Sequence, residues 1–154
     1  STVVTAQTGY TLNFDDGVRL EVLHPQQSPQ ISDGLDDQTL VTRLVYGDIS
    51  FLLTGDLSQD GPQALLTAPQ WPLATVMQLP KHGTLRSLST DFLAAAQPQA
   101  ILLQSDRTNR LGDPDPDTLA LLGNTPLFRT DQGGTLHFWT DGKELWMSQV
   151  GGQS

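Results

Sequence analysis

The most constraining feature of the sequence is a short apolar run, Ile49 to Leu53, followed at once by Thr-Gly-Asp. A nearly continuous apolar run of this length is typical of a strand that is buried on both faces of a sheet. It follows a Gly-Asp turn and a second strand-like segment, residues 39–46, so the two segments predict an antiparallel hairpin. An earlier pair of alternating segments, residues 10–14 and 18–23, flanks Asp-Asp-Gly and predicts another hairpin. The chain therefore begins as an antiparallel sheet.

The second part of the chain alternates between strand and helix signals. Residues 74–79 and 100–103 are apolar runs typical of buried strands, and a helix beginning near Ser89 lies between them. The other predicted elements are helices at residues 58–67 and 117–122 and strands at residues 127–130, 135–140 and 144–150. Strands that pair locally and are then joined through helices predict an α+β, α/β-like fold with a mixed sheet. We expect residues 39–46, 49–53, 74–79 and 100–103 to share that sheet.

Composition limits the kinds of protein that the chain can be. It has 154 residues, enough for one domain with a hydrophobic core, and we expect a piece of a longer protein because it opens on Ser1. It has no cysteine, which excludes disulfides, thiolate metal ligands and a cysteine nucleophile. No apolar run approaches the roughly 18 residues that cross a bilayer, so we expect no membrane insertion. The formal net charge of −9 repels phosphate backbones, so direct binding of DNA should be weak or absent.

Three loops after predicted buried strands carry the candidate functional residues, because loops at strand ends often hold catalytic groups. In the first loop, Asp56 could bind a metal ion, or it could cap a helix. In the second, His82 could be a ligand or a base, or a hydrogen-bonded loop residue. The third, residues 109–114, is either part of a site or a solvated acidic loop. Each signal is weak alone, and both interpretations of each loop stay open.

Taken together and in this order, the loops resemble the C-terminal metallo-β-lactamase-like domain of ComEC-type competence proteins, the membrane channels for DNA uptake. The family's Leu-Thr-Gly-Asp is matched by Leu53-Thr54-Gly55-Asp56, and its Pro-His-His-Gly-Ser by Pro80-Lys81-His82-Gly83-Thr84. Its Asn-Arg-Tyr-Gly-His-Pro is matched by Asn109-Arg110-Leu111-Gly112-Asp113-Pro114. Its Arg-Thr-Asp-x-Gly is matched by Arg129-Thr130-Asp131-Gln132-Gly133. The similarity extends over residues 9–142. It implies that residues 1–154 are a single domain fragment, the second half of a metallo-β-lactamase-type αββα sandwich.

The resemblance also implies a metal site that this chain keeps only in part. The family binds metal mostly through an upstream His-x-His-x-Asp-His motif, which three scattered histidines cannot form. Lys81 replaces the first histidine of His-His-Gly and Asp113 replaces that of Gly-His-Pro, so Asp56 and His82 remain as vestigial metal ligands. Two ligands do not hold a divalent ion tightly. The residues expected to line the site are Gly55, Lys81, Gly83, Thr84, Asn109, Arg110, Gly112 and Asp113.

Lys81 is expected to take the place of the lost cation. Its ammonium would lie within about 4 Å of the Asp56 carboxylate, which at the end of a buried strand needs a partner. The alternative is that Lys81 points into solvent. Together with Arg86, Arg107 and Arg110, Lys81 would form a local basic spot able to bind an anion, unless these cations merely pair with aspartates of the same loops.

Two functions remain open at this stage. The first is a non-catalytic metallo-β-lactamase-like module with a degenerate metal site and no bound cofactor. The resemblance gives it the rest of a membrane channel as partner, and makes it a soluble domain of a bacterial membrane-associated protein on an undetermined side of the membrane. The second is part of a metal-dependent phosphodiesterase or nuclease whose other ligands lie outside this chain. Zinc or manganese would then complete the site and supply a metal-bound hydroxide.

Overall fold

Seven strands form one mixed sheet, and two further strands form a separate hairpin. The computed structural model describes residues 5–26, 39–57, 61–66, 72–108 and 110–151. The elements in chain order are β1 (Thr11–Asn13), β2 (Arg19–His24), β3 (Val41–Tyr46), β4 (Ile49–Leu53), α1 (Gly61–Leu66), β5 (Val76–Gln78), α2 (Thr90–Ala96), β6 (Ala100–Leu103), α3 (Pro116–Leu121), β7 (Leu127–Arg129), α4 (Thr130–Gly133), β8 (Gly134–Thr140) and β9 (Leu145–Gly151). Short 3₁₀ turns cover Asp15–Gly17 and Pro80–Gly83.

The large sheet follows the order of the chain from β1 to β7. β1 to β4 pair antiparallel, as expected for two hairpins, whereas β4 to β7 pair parallel because helices connect them. The predicted α+β fold with a mixed sheet is therefore confirmed. The four strands expected to share one sheet are β3, β4, β5 and β6, and they lie side by side.

One face of the sheet packs against the helices. Direct cross-strand partners Leu52, Met77 and Ile101 lie on this face and are fully buried. Phe92 of α2 packs into the same cluster and is also fully buried. Local signals set the helix ends: Ser89 caps α2 by accepting a hydrogen bond from the Phe92 amide. The main hydrophobic core therefore lies between the helices and the sheet.

The opposite face of the sheet is only partly covered. β8 and β9 pair antiparallel, and Phe138 of β8 contacts Phe51 of β4 edge to face, with ring centroids 5.8 Å apart. The prediction that residues 49–53 are buried on both faces is therefore only partly right. Leu52 is fully buried, but Leu53 on the other face is 40% exposed. β4 holds the expected central position, yet the hairpin covers only part of its second face.

A few local elements were not predicted from the sequence. The α4 turn interrupts the step from β7 to β8, and the 3₁₀ turn Pro80–Gly83 occupies the expected loop. Positions 58–60 and 67 of the helix predicted over 58–67 lie outside the described residues. Within the described part of the chain, no helix has the length and apolarity that a bilayer crossing requires.

Candidate functional site

The predicted site loops meet at one edge of the sheet. β4, β5 and β6 run parallel, so their carboxyl ends lie side by side and the loops that follow them are neighbours. The Lys81 amide donates to the Gly55 carbonyl at 2.9 Å, which joins the first loop to the second. Nδ1 of His82 lies 2.9 Å from the Gln104 carbonyl, which joins the second loop to the third. The expectation that the loops converge is therefore confirmed.

Asp56 and His82, the two vestigial metal-ligand candidates, face each other across this edge. Nε2 of His82 lies 3.8 Å from Oδ1 of Asp56, which allows an ion pair with a protonated imidazole but is too long for a hydrogen bond. The side chain of His82 is 54% exposed, and that of Asp56 is 67% exposed. The premise that the Asp56 carboxylate is buried and needs a partner is therefore wrong, because Gly55 carries the chain beyond the sheet before Asp56 is reached. The Lys81–Asp56 ion pair stays a prediction.

Two glutamines that sequence reasoning missed connect the strand ends below Asp56 and His82. Nε2 of Gln78 donates to Oε1 of Gln104 at 2.8 Å, and the Thr54 hydroxyl donates to the Gln78 carbonyl at 3.0 Å. Gln78 is the last residue of β5, and Gln104 directly follows β6. Polar residues at the ends of two apolar strands were the available signal. These contacts fix the positions from which the loops start.

The Pro80–Gly83 turn is held in an uncommon backbone conformation. Lys81, His82 and Gly83 all have positive φ, at 46°, 54° and 76°. A non-glycine residue in this region costs free energy, so surrounding contacts must maintain it. The Asp115 amide donates to the Gly83 carbonyl at 2.9 Å, and the Thr118 hydroxyl donates to the Thr84 carbonyl at 3.0 Å. Gly83 and Thr84 thus anchor the turn to the start of α3.

The third loop closes a small cleft beside His82. The cleft measures about 80 Å³ and is lined by His82, Ser105, Asp106, Arg110, Leu111 and Asp113. A space of this size suits a few water molecules or a small ion. Gly112 lies at the tip of the loop with a φ of 79°. Asn109, a predicted member of the site, lies outside the described residues.

The arginines expected to form a basic spot with Lys81 do not share one set of contacts. Arg110 lines the cleft, whereas Arg107 donates to the Gly151 carbonyl of β9 at 3.0 Å. Arg86 is exposed and has a φ of 63°. Asp106 and Asp113 line the same cleft as Arg110, so its charge is mixed rather than basic. The Thr108 hydroxyl and amide donate to Asp106 and hold its pKa below the usual value.

The candidate metal centre is sparse. Among the described residues, no group of three or more histidine, cysteine, aspartate or glutamate side chains could hold a metal ion. Asp56 and His82 are the pair that comes together, and tetrahedral metal sites use three or four protein ligands. Within the part of the chain that the structure describes, the site can therefore offer two ligands to a metal.

The Arg-Thr-Asp motif forms a structural junction next to the site. Arg129 and Asp131 make a bidentate ion pair, with Nε–Oδ1 and Nη2–Oδ2 distances of 3.0 and 2.7 Å. The hydrogen bonds from Arg129 lower the pKa of Asp131, and those to Asp131 raise the pKa of Arg129. Thr130 between them exchanges hydrogen bonds with the backbone of Ser105 at 3.1 and 3.2 Å. The motif therefore ties β7 to the loop that follows β6.

Comparison with known proteins relates the chain to competence proteins. It is 29% identical over 132 residues to ComE operon protein 3 of Bacillus subtilis (strain 168), covering 84% of this chain and 17% of that protein. It is 32% identical over 126 residues to competence protein ComA of Neisseria gonorrhoeae, covering 80% of this chain and 18% of that protein. No protein-family model matches the chain, and no solved structure matches it. The chain thus spans less than a fifth of the length of these curated relatives. It is related to the competence proteins of the ComEC type.

Proposed function

We propose that the chain is a metallo-β-lactamase-like module of a ComEC-type DNA-uptake protein, with a degenerate metal site and no catalytic activity of its own. The rest of that longer, membrane-associated protein is its partner, and zinc or manganese is not held by this chain alone. The observation that carries the proposal is the isolated Asp56–His82 pair. A 3.8 Å approach of two largely exposed side chains, with no third ligand beside them among the described residues, does not make a tight metal site.

The substitutions at two motif positions support loss of the metal. Lys81 stands where the family has a metal-site histidine, and a protonated ammonium cannot ligate a metal. Asp113 stands at a second such position and lines the cleft beside His82. A carboxylate can ligate a metal, but among the described residues Asp113 does not join Asp56 and His82 in a group of three that could hold one. The loops nevertheless keep their arrangement through backbone hydrogen bonds, such as Lys81 N to Gly55 O. The scaffold of a site thus persists without most of its ligands.

One observation favours the alternative, a metal-dependent hydrolase that other segments complete. Nδ1 of His82 is engaged by the Gln104 carbonyl, and Nε2 faces Asp56. A metal-binding histidine is commonly held in this way, with one ring nitrogen on a carbonyl and the other directed toward the metal. Asp56 and His82 would then be two of the ligands, and Arg110 would face a phosphodiester. Such a site needs ligands from residues that the structure does not describe or from another segment.

Metal analysis of the purified chain tests the proposal. After dialysis against zinc or manganese and then metal-free buffer, we expect well under one metal ion per chain, and no metal-dependent hydrolysis of bis(p-nitrophenyl) phosphate. His82→Gln should change neither result. His137→Gln is the matched control, because His137 is an exposed histidine on β8. Retention of one metal per chain that is lost in His82→Gln and kept in His137→Gln would overturn the proposal and establish the alternative.

A further inference from the structure

On the face of the large sheet that the β8–β9 hairpin partly covers, a row of apolar side chains runs from Phe51, which contacts Phe138 of the hairpin, to the exposed Leu12. Leu12, Leu20, Leu44 and Phe51 are direct cross-strand partners from β1 to β4, so they lie on one face. Strands are about 4.8 Å apart, so the row extends over roughly 14 Å. Leu12 is 40% exposed, and the other three are half-buried. We call these residues the apolar row.

The apolar row leads into a cavity between the sheet and the tip of the hairpin. The cavity measures about 390 Å³ and is lined by Asp16, Val18, Leu44, Tyr46, Ile49, Phe51 and Thr140. Its volume falls in the range of about 300–1,000 Å³ that is usual for ligand sites. The row and the cavity share Leu44 and Phe51, so together they form one continuous apolar groove. An elongated groove of this kind suits a peptide segment better than a compact small molecule.

Acidic turns surround one end of this groove. Asp15 and Asp16 lie in the turn between β1 and β2, Asp48 in the turn between β3 and β4, and Asp141 in the turn between β8 and β9, and all four are exposed. The β3–β4 and β8–β9 turns are held together because the Asp48 amide donates to the Gly142 carbonyl at 2.7 Å. We call these four aspartates the acidic rim.

Two cations that follow these turns in the chain, Arg19 and Lys143, are directed elsewhere. Arg19 binds Glu21 at 2.8 Å, on the face that packs against the helices. Lys143 lines a separate cavity on the other side of the hairpin, with Ala100 and Phe128. The rim therefore keeps a negative potential beside an apolar surface. Nucleic acid, anionic lipid and acidic peptides are repelled by such a surface, whereas a segment with basic and apolar side chains is attracted.

We propose that the groove docks an amphipathic protein segment that places apolar side chains on the apolar row and lysine or arginine side chains against the acidic rim. Two helical turns extend about 11 Å, so apolar residues at i, i+4 and i+7 match the length of the row. This goes beyond the proposed function, because the groove lies at the opposite end of β4 from Asp56.

Fluorescence anisotropy with a labelled amphipathic peptide tests the proposal on the full 154-residue chain. The probe is a peptide of leucine and lysine, roughly 14 residues or four helical turns long, and its partner probe has glutamate in place of lysine. We expect saturable binding of the lysine peptide and none of the glutamate peptide. Equal binding of both, or of neither, overturns the proposal.

Matched variants distinguish the groove from general attraction to an acidic protein. Asp15→Asn with Asp48→Asn should weaken binding about fivefold, since two exposed ion pairs are lost. Asp91→Asn with Asp117→Asn removes the same charge from exposed helix positions and should change affinity by less than about twofold. If the two double variants weaken peptide binding equally, the peptide does not bind at the acidic rim.

A second pair of variants tests the apolar row. Leu12→Asn with Leu20→Asn should weaken binding at least about tenfold, because apolar contact is lost. Leu85→Asn with Leu121→Asn changes two other exposed leucines and should leave binding unchanged. Circular dichroism shows whether each variant folds, and amide chemical shifts of the unmodified chain should move in β1 to β4 on adding peptide. Trp139 and Trp146 are exposed cross-strand partners on the hairpin. Shifts confined to that face of the hairpin, or dimerisation that blocks the peptide, overturn the proposal.

Discussion

Gly83 and Pro114 are in such close contact that a side chain on Gly83 would collide with the proline. A Cβ built on Gly83 would stand 2.8 Å from Cβ of Pro114 and 2.8 Å from Cδ2 of Leu79. Gly83 also has a φ of 76°, which side chains disfavour. The contact joins the second site loop to the third, so the arrangement around His82 depends on the absence of a side chain at this position.

Gly83→Ala should therefore destabilise the protein by about 2–3 kcal/mol, from backbone strain and overpacking together. Gly112→Ala is the matched control, because Gly112 has a φ of 79° but no atom lies within 4 Å of the position that its Cβ would take. It should cost about 1 kcal/mol from the backbone alone. Urea denaturation measures both free energies of unfolding. Equal losses would show that the Gly83–Pro114 contact contributes nothing beyond the backbone conformation.

The Arg129–Asp131 pair should contribute to stability in a pH-dependent way. Arg129→Gln is expected to cost about 1–2 kcal/mol at neutral pH, since it removes a charged hydrogen-bonded pair that is mostly buried. The pKa of Asp131 is lowered in the folded protein by Arg129, so the contribution is complete above the ordinary aspartate pKa of about 3.9. It is lost as the pH falls through the lowered pKa. The difference in free energy of unfolding between the unmodified chain and Arg129→Gln should narrow below about pH 4. A difference that stays constant with pH would contradict this.

Gln97 offers a stabilising substitution that is independent of the site. It caps α2 in a left-handed conformation with a φ of 45° and is exposed. Glycine is preferred there, so Gln97→Gly should raise the free energy of unfolding by about 0.5–1 kcal/mol. Gln99→Gly serves as the control, because Gln99 is exposed without a positive φ and should lose stability instead. A loss at Gln97 would show that its side chain makes a compensating interaction.

The strands were predictable because their signals are local. Alternation around Asp-Gly and Gly-Asp turns located the hairpins, and apolar runs located β4, β5 and β6. Convergence of Asp56 with His82 followed from the order of the loops. The exposure of Leu53 could not be predicted in this way, because it depends on how far the β8–β9 hairpin extends over the sheet. The exposure of Asp56 could not be predicted either, because it depends on where the chain leaves the sheet at Gly55. The Gln78–Gln104 hydrogen bond could not be predicted either, because it joins the ends of two strands that are distant in the chain.

Binding of duplex DNA should be weak and sensitive to salt. The net charge of −9 opposes it, and Asp106 and Asp113 share the cleft with Arg110. We expect a Kd weaker than the roughly 10⁻⁴–10⁻⁶ M of ordinary non-specific binding at physiological ionic strength. Anisotropy of a labelled duplex measures it, with Arg110→Gln and the exposed Arg86→Gln as paired variants. Tight binding that either variant abolishes would revive a direct role in DNA contact.

On the proposed function, imidazoles at positions 81 and 113 should create a metal site. Asp113→His puts an imidazole in the cleft that His82 lines, and Lys81→His adds a second one next to His82 in the chain. Histidine tolerates the left-handed conformation of position 81 better than most residues do. Zinc affinity, measured by calorimetry, should rise at least about tenfold over the unmodified chain. It should fall again below about pH 6.5, because protonated imidazoles do not bind metal. Lys81→His with Asp117→His is the control, since Asp117 is an exposed residue of α3 that does not line the cleft. Equal gains in the two double variants would mean that the cleft beside His82 does not assemble a metal site, and the proposed ancestry of that cleft would lose its support.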